Sequence, residues 1–132
     1  MPPRILSDVT VVVVEDHEDV RSLLAQFLTQ QGARVIACPN VSDALVAVTR
    51  EHPDVVVSDI ALPDGDGFQL LQSIRGLGPE IGGNAPVIAM SALGATITNQ
   101  RVLAAGFRSY LGKPFTPQQL LQAIQAALRP QS

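Results

Sequence analysis

Short apolar runs alternate with segments of helical periodicity along this chain. Val9–Val14 is a continuous β-branched run, which is typical of a strand covered on both of its faces. Apolar residues at helical spacing follow it, and Gly32 is placed to end that first helix. Four later apolar runs predict four more strands, at Ala33–Cys38, Asp54–Ser58, Pro86–Met90 and Phe107–Leu111.

The segments between these runs predict helices with recognisable ends. Asn40 can cap the second helix, because its side chain accepts a hydrogen bond from a free N–H of the first turn. Phe68–Leu77 has the spacing of a third helix, and residues 95–105 that of a weaker fourth. Thr116 and Pro117 are residue types that begin helices, and a final amphipathic helix follows them.

Five strands that alternate with five helices indicate parallel strand pairing. The predicted fold class is therefore α/β, a doubly wound five-stranded parallel sheet with five helices. We assign residues 9–128 to this domain, with an N-terminal extension at 1–8 and a C-terminal tail at 129–132. In such sheets ligands bind beyond the carboxyl ends of the strands. The residues that directly follow each apolar run are thus the candidates for chemistry.

Composition argues against several classes of function. The formal net charge of −3 argues against a direct nucleic-acid partner. No apolar run approaches the roughly 20 residues that span a bilayer, and the first eight residues do not have the pattern of a signal peptide. Cys38 is the only cysteine, so no internal disulfide can form, as suits a reducing compartment. We therefore expect a soluble cytoplasmic domain with no membrane partner.

Three acids, a hydroxyl and an amine follow four of the predicted strands. Glu15 and Asp16 come after the first, Asp59 after the third, Ser91 after the fourth, and Lys113 after the fifth. Three close carboxylates would repel one another unless a cation lay between them, and Mg²⁺ prefers oxygen ligands. The pattern predicts a divalent metal site at the three carboxylates, completed by a backbone carbonyl just beyond Asp59.

Asp59 also has the chemistry of a phosphoryl acceptor. A carboxylate can act as a nucleophile and form an aspartyl phosphate. The negative charge of the transferred group then requires cations and hydrogen-bond donors around it. The metal ion and Lys113 would supply positive charge, and Ser91 would supply a hydrogen bond.

Taken singly, each residue also has an ordinary structural interpretation. Glu15 and Asp16 could form a solvated turn, and Asp59 could open a turn of its own. Ser91 could cap the next helix, and Lys113 could be a surface lysine. Their coincidence at four predicted strand ends favours a functional site.

Four stretches of the chain form a recognisable set, in this order: VVVVEDHEDVRSLL, VVVSDIALPDGDGFQLLQSIR, PVIAMSA and AGFRSYLGKPFTP. They resemble the receiver domain of two-component response regulators, and the resemblance covers residues 9 to about 128. Segments EDHEDVRSLL and AGFRSYLGKPF look most like receivers attached to hybrid sensor kinases. The resemblance implies a flavodoxin-like sheet with strand order 2-1-3-4-5, as in chemotaxis regulators.

The resemblance also implies roles for the acidic residues. Asp59 would be the phosphorylated residue. Glu15 and Asp16 would bind Mg²⁺, or Mn²⁺ in its place, together with Asp59 and the backbone carbonyl of Ala61. The phosphoryl group would come from a histidine kinase or a histidine phosphotransfer protein.

Further roles fall at the ends of the last two strands. Ser91 and Lys113 would contact the phosphoryl group, and the Lys113–Pro114 peptide bond would be cis. Ser91 and Tyr110 would form a conformational switch that changes the face around residues 95–128, where a downstream protein partner binds. Alternatively, Tyr110 is a half-buried strand-end aromatic whose hydroxyl stays in water.

The charge distribution bears on self-association. Residues 1–90 hold all 12 acids and 5 arginines, whereas residues 91–132 hold 4 basic residues and no acid. The acid–base pairs that join many receivers cannot form within a face that lacks acids. We therefore doubt the usual symmetric dimer, and the oligomeric state stays open.

Two other functions compete with a phosphorylated switch. A degenerate receiver would act only as a phosphorylation-independent binding module, although the complete set of site residues argues against it. A phosphatase of the haloacid-dehalogenase type needs a second Asp two residues after its nucleophile, where this chain has Ala61. We therefore expect no enzyme activity beyond the domain's own phosphorylation and dephosphorylation at Asp59.

Overall fold

The apolar runs of the sequence form a five-stranded parallel sheet in the computed structural model, which describes residues 5–92 and 99–129. The strands are β1 (Thr10–Val14), β2 (Arg34–Cys38), β3 (Val55–Asp59), β4 (Ala61–Leu62), β5 (Gly65–Asp66), β6 (Val87–Ala92) and β7 (Ser109–Lys113). The helices are α1 (Glu18–Gln30), α2 (Val41–Glu51), α3 (Gly67–Arg75), α4 (Asn99–Ala105) and α5 (Pro117–Leu128), and a 3₁₀ turn covers Pro79–Ile81.

The large sheet has the strand order β2-β1-β3-β6-β7, and β4 and β5 form a separate antiparallel hairpin. Counted among the five parallel strands, this is the predicted order 2-1-3-4-5. The order reverses between β1 and β3, so the carboxyl ends of these two strands flank the crevice where such folds bind ligands. The register pairs Asp59 with Met90 and Lys113 with Ala92, which brings the ends of β3, β6 and β7 to the same edge.

Valine side chains of β1 belong to two separate hydrophobic clusters, one on each face of the sheet. Val12 and Val14 pack with residues of α2 and α3, whereas Val11 and Val13 pack with residues of α1 and α5. All four are fully buried. Burial of such a side chain is worth about 1.5–3 kcal/mol, so both clusters contribute strongly to stability. Burial on both faces also explains why β1 is a continuous apolar run rather than an alternating one.

Several element boundaries differ from the predicted ones. β3 begins at Val55, one residue after Asp54, whose carboxylate accepts a hydrogen bond from the Thr10 N–H at 2.8 Å and whose own N–H donates to the Thr10 carbonyl at 2.9 Å. β7 begins at Ser109, two residues after the predicted start at Phe107, whose buried ring lies edge-on to Phe68 at 5.5 Å between centroids. The fourth helix is described only from Asn99, and the predicted residues 95–98 lie outside the described ranges.

Helix ends follow the capping chemistry of the sequence. Asn40 accepts a hydrogen bond from the Asp43 N–H at 2.8 Å and caps α2. Thr116 caps α5, where its hydroxyl and the Gln119 side chain bond reciprocally to the backbone. Asp66 and Gln69 form the same reciprocal arrangement at α3, which the sequence reading had not identified. No helix within residues 5–92 and 99–129 is long and apolar enough to cross a membrane.

Replacement of Asn40 by alanine is expected to lower the free energy of unfolding by about 1 kcal/mol, because the first turn of α2 loses its side-chain acceptor. Urea denaturation measures the change. Asn40→Asp keeps an acceptor oxygen at the cap and should retain most of the stability. Equal losses in both variants would contradict a capping role.

Candidate functional site

Three carboxylates meet at the carboxyl edge of the sheet. Glu15 directly follows β1 and is 1% exposed, while Asp59 ends β3 and is 8% exposed. Asp16 is exposed to solvent. One carboxylate oxygen from each residue lies within 4.8 Å of those of the other two. The structure thus brings together the three acids that the sequence placed on two different strands.

Lys113 at the end of β7 bridges two of these acids. Its Nζ donates to Glu15 Oε1 at 2.5 Å and to Asp59 Oδ2 at 2.7 Å. Burial alone would lower the pKa of Lys113, but the hydrogen bonds and charges of Asp59 and Glu15 outweigh burial and raise this pKa above its usual value. The ammonium therefore stays charged and neutralises part of the acidic cluster.

Ser91 lies near the end of β6, and Tyr110 lies near the start of β7. Ser91 is buried and follows Met90, the residue that pairs with Asp59. Tyr110 pairs with Ala89 and is half-buried against the hydrophobic cluster on the α2–α3 face. The peptide bond that joins Lys113 to Pro114 is cis, as the resemblance implies.

Arg21 holds the loop that carries the acidic pair, a role that the sequence reading missed. Its Nη1 donates to the backbone carbonyl of Glu15 at 2.9 Å and to that of Asp16 at 3.3 Å. These bonds fix the backbone that presents both carboxylates. The sequence does show an arginine near the start of the helix that follows the acidic pair. An arginine with no role at the site would give the same sequence pattern, so this position alone does not identify the contact.

The segment after Asp59 is held against the strand end. The Ala61 N–H donates to Asp59 Oδ1 at 3.1 Å. A Cβ atom built on Gly67 would lie 2.9 Å from the Asp59 carbonyl oxygen and 3.0 Å from Ile60 Cα, so only glycine lets α3 begin this close to β3. The sequence reading did not identify Gly67, because glycine in a turn-rich segment has many explanations.

Asp64 ties the β4–β5 hairpin to a neighbouring helix. Its carboxylate accepts from the N–H of Val41 at 2.8 Å and of Ser42 at 3.2 Å, at the start of α2. The hydrogen bond from Val41 is the main reason that the pKa of Asp64 lies below its usual value. The hairpin beside Asp59 is therefore anchored to α2.

The donor set fits a hard divalent cation. Three carboxylates against one ammonium leave a formal charge of −2 at the site. Oxygen ligands and excess negative charge are what Mg²⁺ requires from a protein. The described residues could supply Glu15, Asp16 and Asp59 as ligands, and the backbone carbonyl of Ala61 comes two residues after Asp59.

Sequence comparison identifies the family. The response regulator receiver domain family model matches residues 11–125. An uncharacterized 14.6 kDa protein of Leptolyngbya boryana is 39% identical over 91% of this chain and 90% of its own length. The sensor histidine kinase RcsC of Escherichia coli is 36% identical over 89% of this chain, and the probable transcriptional regulator ycf27 of Porphyra purpurea is 33% identical over 90%. The chain spans 47% of the ycf27 protein and 12% of RcsC.

Solved structures agree with this assignment. A putative response regulator from Chloroflexus aurantiacus has a TM-score of 0.82 at 28% identity, covering 91% of this chain and 97% of its own. The receiver domain of the sensor histidine kinase PA1611 from Pseudomonas aeruginosa has a TM-score of 0.80 at 28% identity, with the same coverages, and that structure holds a magnesium ion in its active site cleft. With the matched family model, the strand order and the carboxylate cluster in agreement, the chain belongs to the response regulator receiver domain family.

Proposed function

We propose that this domain accepts a phosphoryl group from a phosphohistidine onto Asp59 and relays it as a conformational signal in a two-component phosphorelay. The observation that carries the proposal is the convergence of Glu15, Asp16 and Asp59, bridged by Lys113. This arrangement holds a nucleophilic carboxylate beside a fixed cation and a divalent-metal site. Phosphoryl transfer depends mainly on such positioning and charge.

Each group at the site has a separate task in this proposal. Asp59 attacks phosphorus with one carboxylate oxygen, and the bond from phosphorus to the donor imidazole nitrogen breaks. Mg²⁺, or Mn²⁺, supplies positive charge against the phosphoryl oxygens when it is bound by Glu15, Asp16, Asp59 and the carbonyl of Ala61. Lys113 shifts from the carboxylates to the phosphoryl group and keeps its charge there.

The switch would run through β6 and β7. Ser91 is buried one residue beyond the level of Asp59, so its hydroxyl can turn toward a phosphoryl group on that carboxylate. Tyr110 already packs partly against the core and can move further inward when the Ser91 side chain moves. Phosphorylation would thereby favour one conformer of the face around residues 95–128, which a downstream partner reads.

The surface beside the site supports a protein as the donor of the phosphoryl group. An apolar groove of about 750 Å³ lies between α1 and the start of α5, and Lys113 lines one end of it. Leu23 lines this groove and is 66% exposed, and contiguous apolar surface of this kind marks sites of interaction with other proteins. A histidine kinase or histidine phosphotransfer protein that covered this groove would bring its phosphohistidine to Asp59.

The proposal also covers the bounds of the domain, its location in the cell and its partners. Residues 9–128 would form the receiver, acting in the cytoplasm without direct contact to nucleic acid or membrane and without turnover of an external substrate. Residues 91–132 contain four basic residues and no acid, which argues against the usual symmetric dimer through this face and leaves the oligomeric state open. Both a separate regulator and a segment of a hybrid kinase are compatible with this role.

Incubation with acetyl phosphate and Mg²⁺, followed by intact mass measurement, tests the proposal. The wild-type chain should gain one phosphoryl group, and a chelator should abolish the gain. Asp59→Asn removes the nucleophile and should stay unmodified, whereas Asp54→Asn, a matched aspartate at the opposite end of β3, should be modified normally. No gain in the wild type, or an undiminished gain in Asp59→Asn, would refute phosphorylation at this site.

A further inference from the structure

A second charged feature lies at the edge of the sheet opposite Asp59. A cleft of about 470 Å³ is lined by Arg75, Asn84, Gly106, Phe107 and Arg108. Arg75 ends α3, Asn84 precedes β6, and the other three precede β7, so all lie at the amino-terminal edge of the strands. The phosphorylation chemistry proposed above uses none of them.

Neither arginine in this cleft pairs with a carboxylate of residues 5–92 or 99–129. Arg75 Nη1 donates to the carbonyls of Gly83 at 3.0 Å and Ala85 at 2.7 Å, and Arg108 Nη1 donates to the carbonyl of Ala127 at 3.2 Å. Among the described residues, the only ion pairs are those of Arg34 and Lys113. Each guanidinium carries five N–H donors, so most donors at this cleft make no bond within the described part of the chain.

The two guanidiniums are close enough to affect each other. Burial, followed by the positive charge of Arg108, holds the pKa of Arg75 below its usual value. Two like charges at one cleft raise the energy of the free protein unless an anion lies between them. None of the described residues that line the cleft is an acid that could play this part.

We propose that the Arg75–Arg108 cleft binds a small phosphorylated ligand through its phosphate group. Paired guanidiniums bind phosphate oxygens through parallel N–H bonds, and they do so better than ammonium groups. The cleft is larger than a bare phosphate and falls within the range of about 300–1,000 Å³ that is usual for small-molecule sites. Asn84 adds an amide at the same cleft, and the buried Phe107 forms its apolar wall.

A phosphate site and a purely structural role of the two arginines predict different binding behaviour. Hydrogen bonds to carbonyls need only one donor nitrogen from each guanidinium, and they predict no saturable binding of a soluble ion. A phosphate site predicts binding that depends on the positive charges of Arg75 and Arg108 and on the N–H donors of their guanidinium groups. The site lies far from Lys113 along the strand direction, so ligand contacts there can be told from contacts at Asp59.

Titration of the full 132-residue chain in metal-free buffer at constant ionic strength tests this site. The ligands are inorganic phosphate, diphosphate, adenosine 5′-monophosphate and adenosine, and the readout is the backbone amide NMR shift of Gly106 and Asn84. Saturable shifts with the phosphorylated ligands and none with adenosine are expected. Tighter binding of the nucleotide than of phosphate would identify an organic phosphate, and equal binding would identify a free oxyanion as the ligand.

Variants at Arg108 test whether the guanidinium binds the ligand, and they leave the bonds from Arg75 to the carbonyls of Gly83 and Ala85 in place. Arg108→Gln should weaken binding about tenfold or more, because charged hydrogen bonds to the ligand are lost. Arg108→Glu should abolish binding, since its carboxylate would take the place of the anion beside Arg75. Arg50→Gln, on exposed surface of α2, serves as the matched control and should bind normally. Absence of saturation in the wild type, equal weakening in Arg50→Gln, or shifts confined to residues around Lys113 would each overturn the proposal.

Discussion

Replacement of Lys113 by methionine is expected to lower the free energy of unfolding of the metal-free domain by about 2 kcal/mol. Methionine keeps the aliphatic stem but leaves Glu15, which is 1% exposed, and Asp59 without their shared cation. Breaking a fully buried pair costs about 3–5 kcal/mol. The side chain of Lys113 is 25% exposed, and solvent screening reduces the figure.

Urea denaturation in the presence of a chelator measures this loss, and the surface ion pair of Arg34 with Glu51 supplies a matched control. The Arg34 side chain is 64% exposed, so Arg34→Met should cost less than about 1 kcal/mol. Addition of Mg²⁺ should stabilise Lys113→Met more than the wild type, because the ammonium no longer occupies carboxylate oxygens that the metal requires. Equal stabilisation of both proteins by Mg²⁺ would show that Lys113 and the metal do not compete for these carboxylates.

The sequence predicted the fold well because its signals are local and agree with one another. Continuous valine runs at β1 and β3 favour burial on both faces, which a parallel sheet covered by helices provides. Caps at Asn40 and Thr116 also act within one turn of the residue that carries them. Boundaries were less accurate, as at Asp54, where the chain contacts Thr10, a residue 44 positions away that no local pattern indicates.

The candidate site could be predicted to a similar extent, and for a related reason. In a parallel sheet the carboxyl ends of neighbouring strands meet, so residues that follow apolar runs can be placed together without coordinates. The side-chain contacts could not be placed this way. That Lys113 bonds to Glu15 as well as Asp59 depends on side-chain rotamers, and the Arg75–Arg108 cleft joins residues that no strand-end rule connects.

Replacement of Gly67 by alanine is expected to slow phosphorylation of Asp59 by about ten- to a hundredfold, because small displacements of a reacting group have effects of this size. The added Cβ would lie 2.9 Å from the Asp59 carbonyl oxygen and 3.0 Å from Ile60 Cα. Both contacts are with backbone, which cannot rotate away as a side chain can. The start of α3 or the end of β3 must therefore move, and the Asp59 carboxylate moves with it. Overpacking of this kind also costs about 1–3 kcal/mol of stability.

Gly76 offers the matched control for this substitution. Its φ of −72° suits any residue, and a Cβ built there meets only the Gln72 and Ser73 carbonyl oxygens at 3.5 Å, an ordinary contact distance. Gly76→Ala should therefore keep the wild-type rate and gain up to about 1 kcal/mol from the reduced entropy of the unfolded chain. The rate of mass gain with acetyl phosphate, together with urea denaturation, compares the two variants. If Gly67→Ala lost stability yet reacted at the wild-type rate, close packing of α3 against β3 would serve only the fold and would not position Asp59.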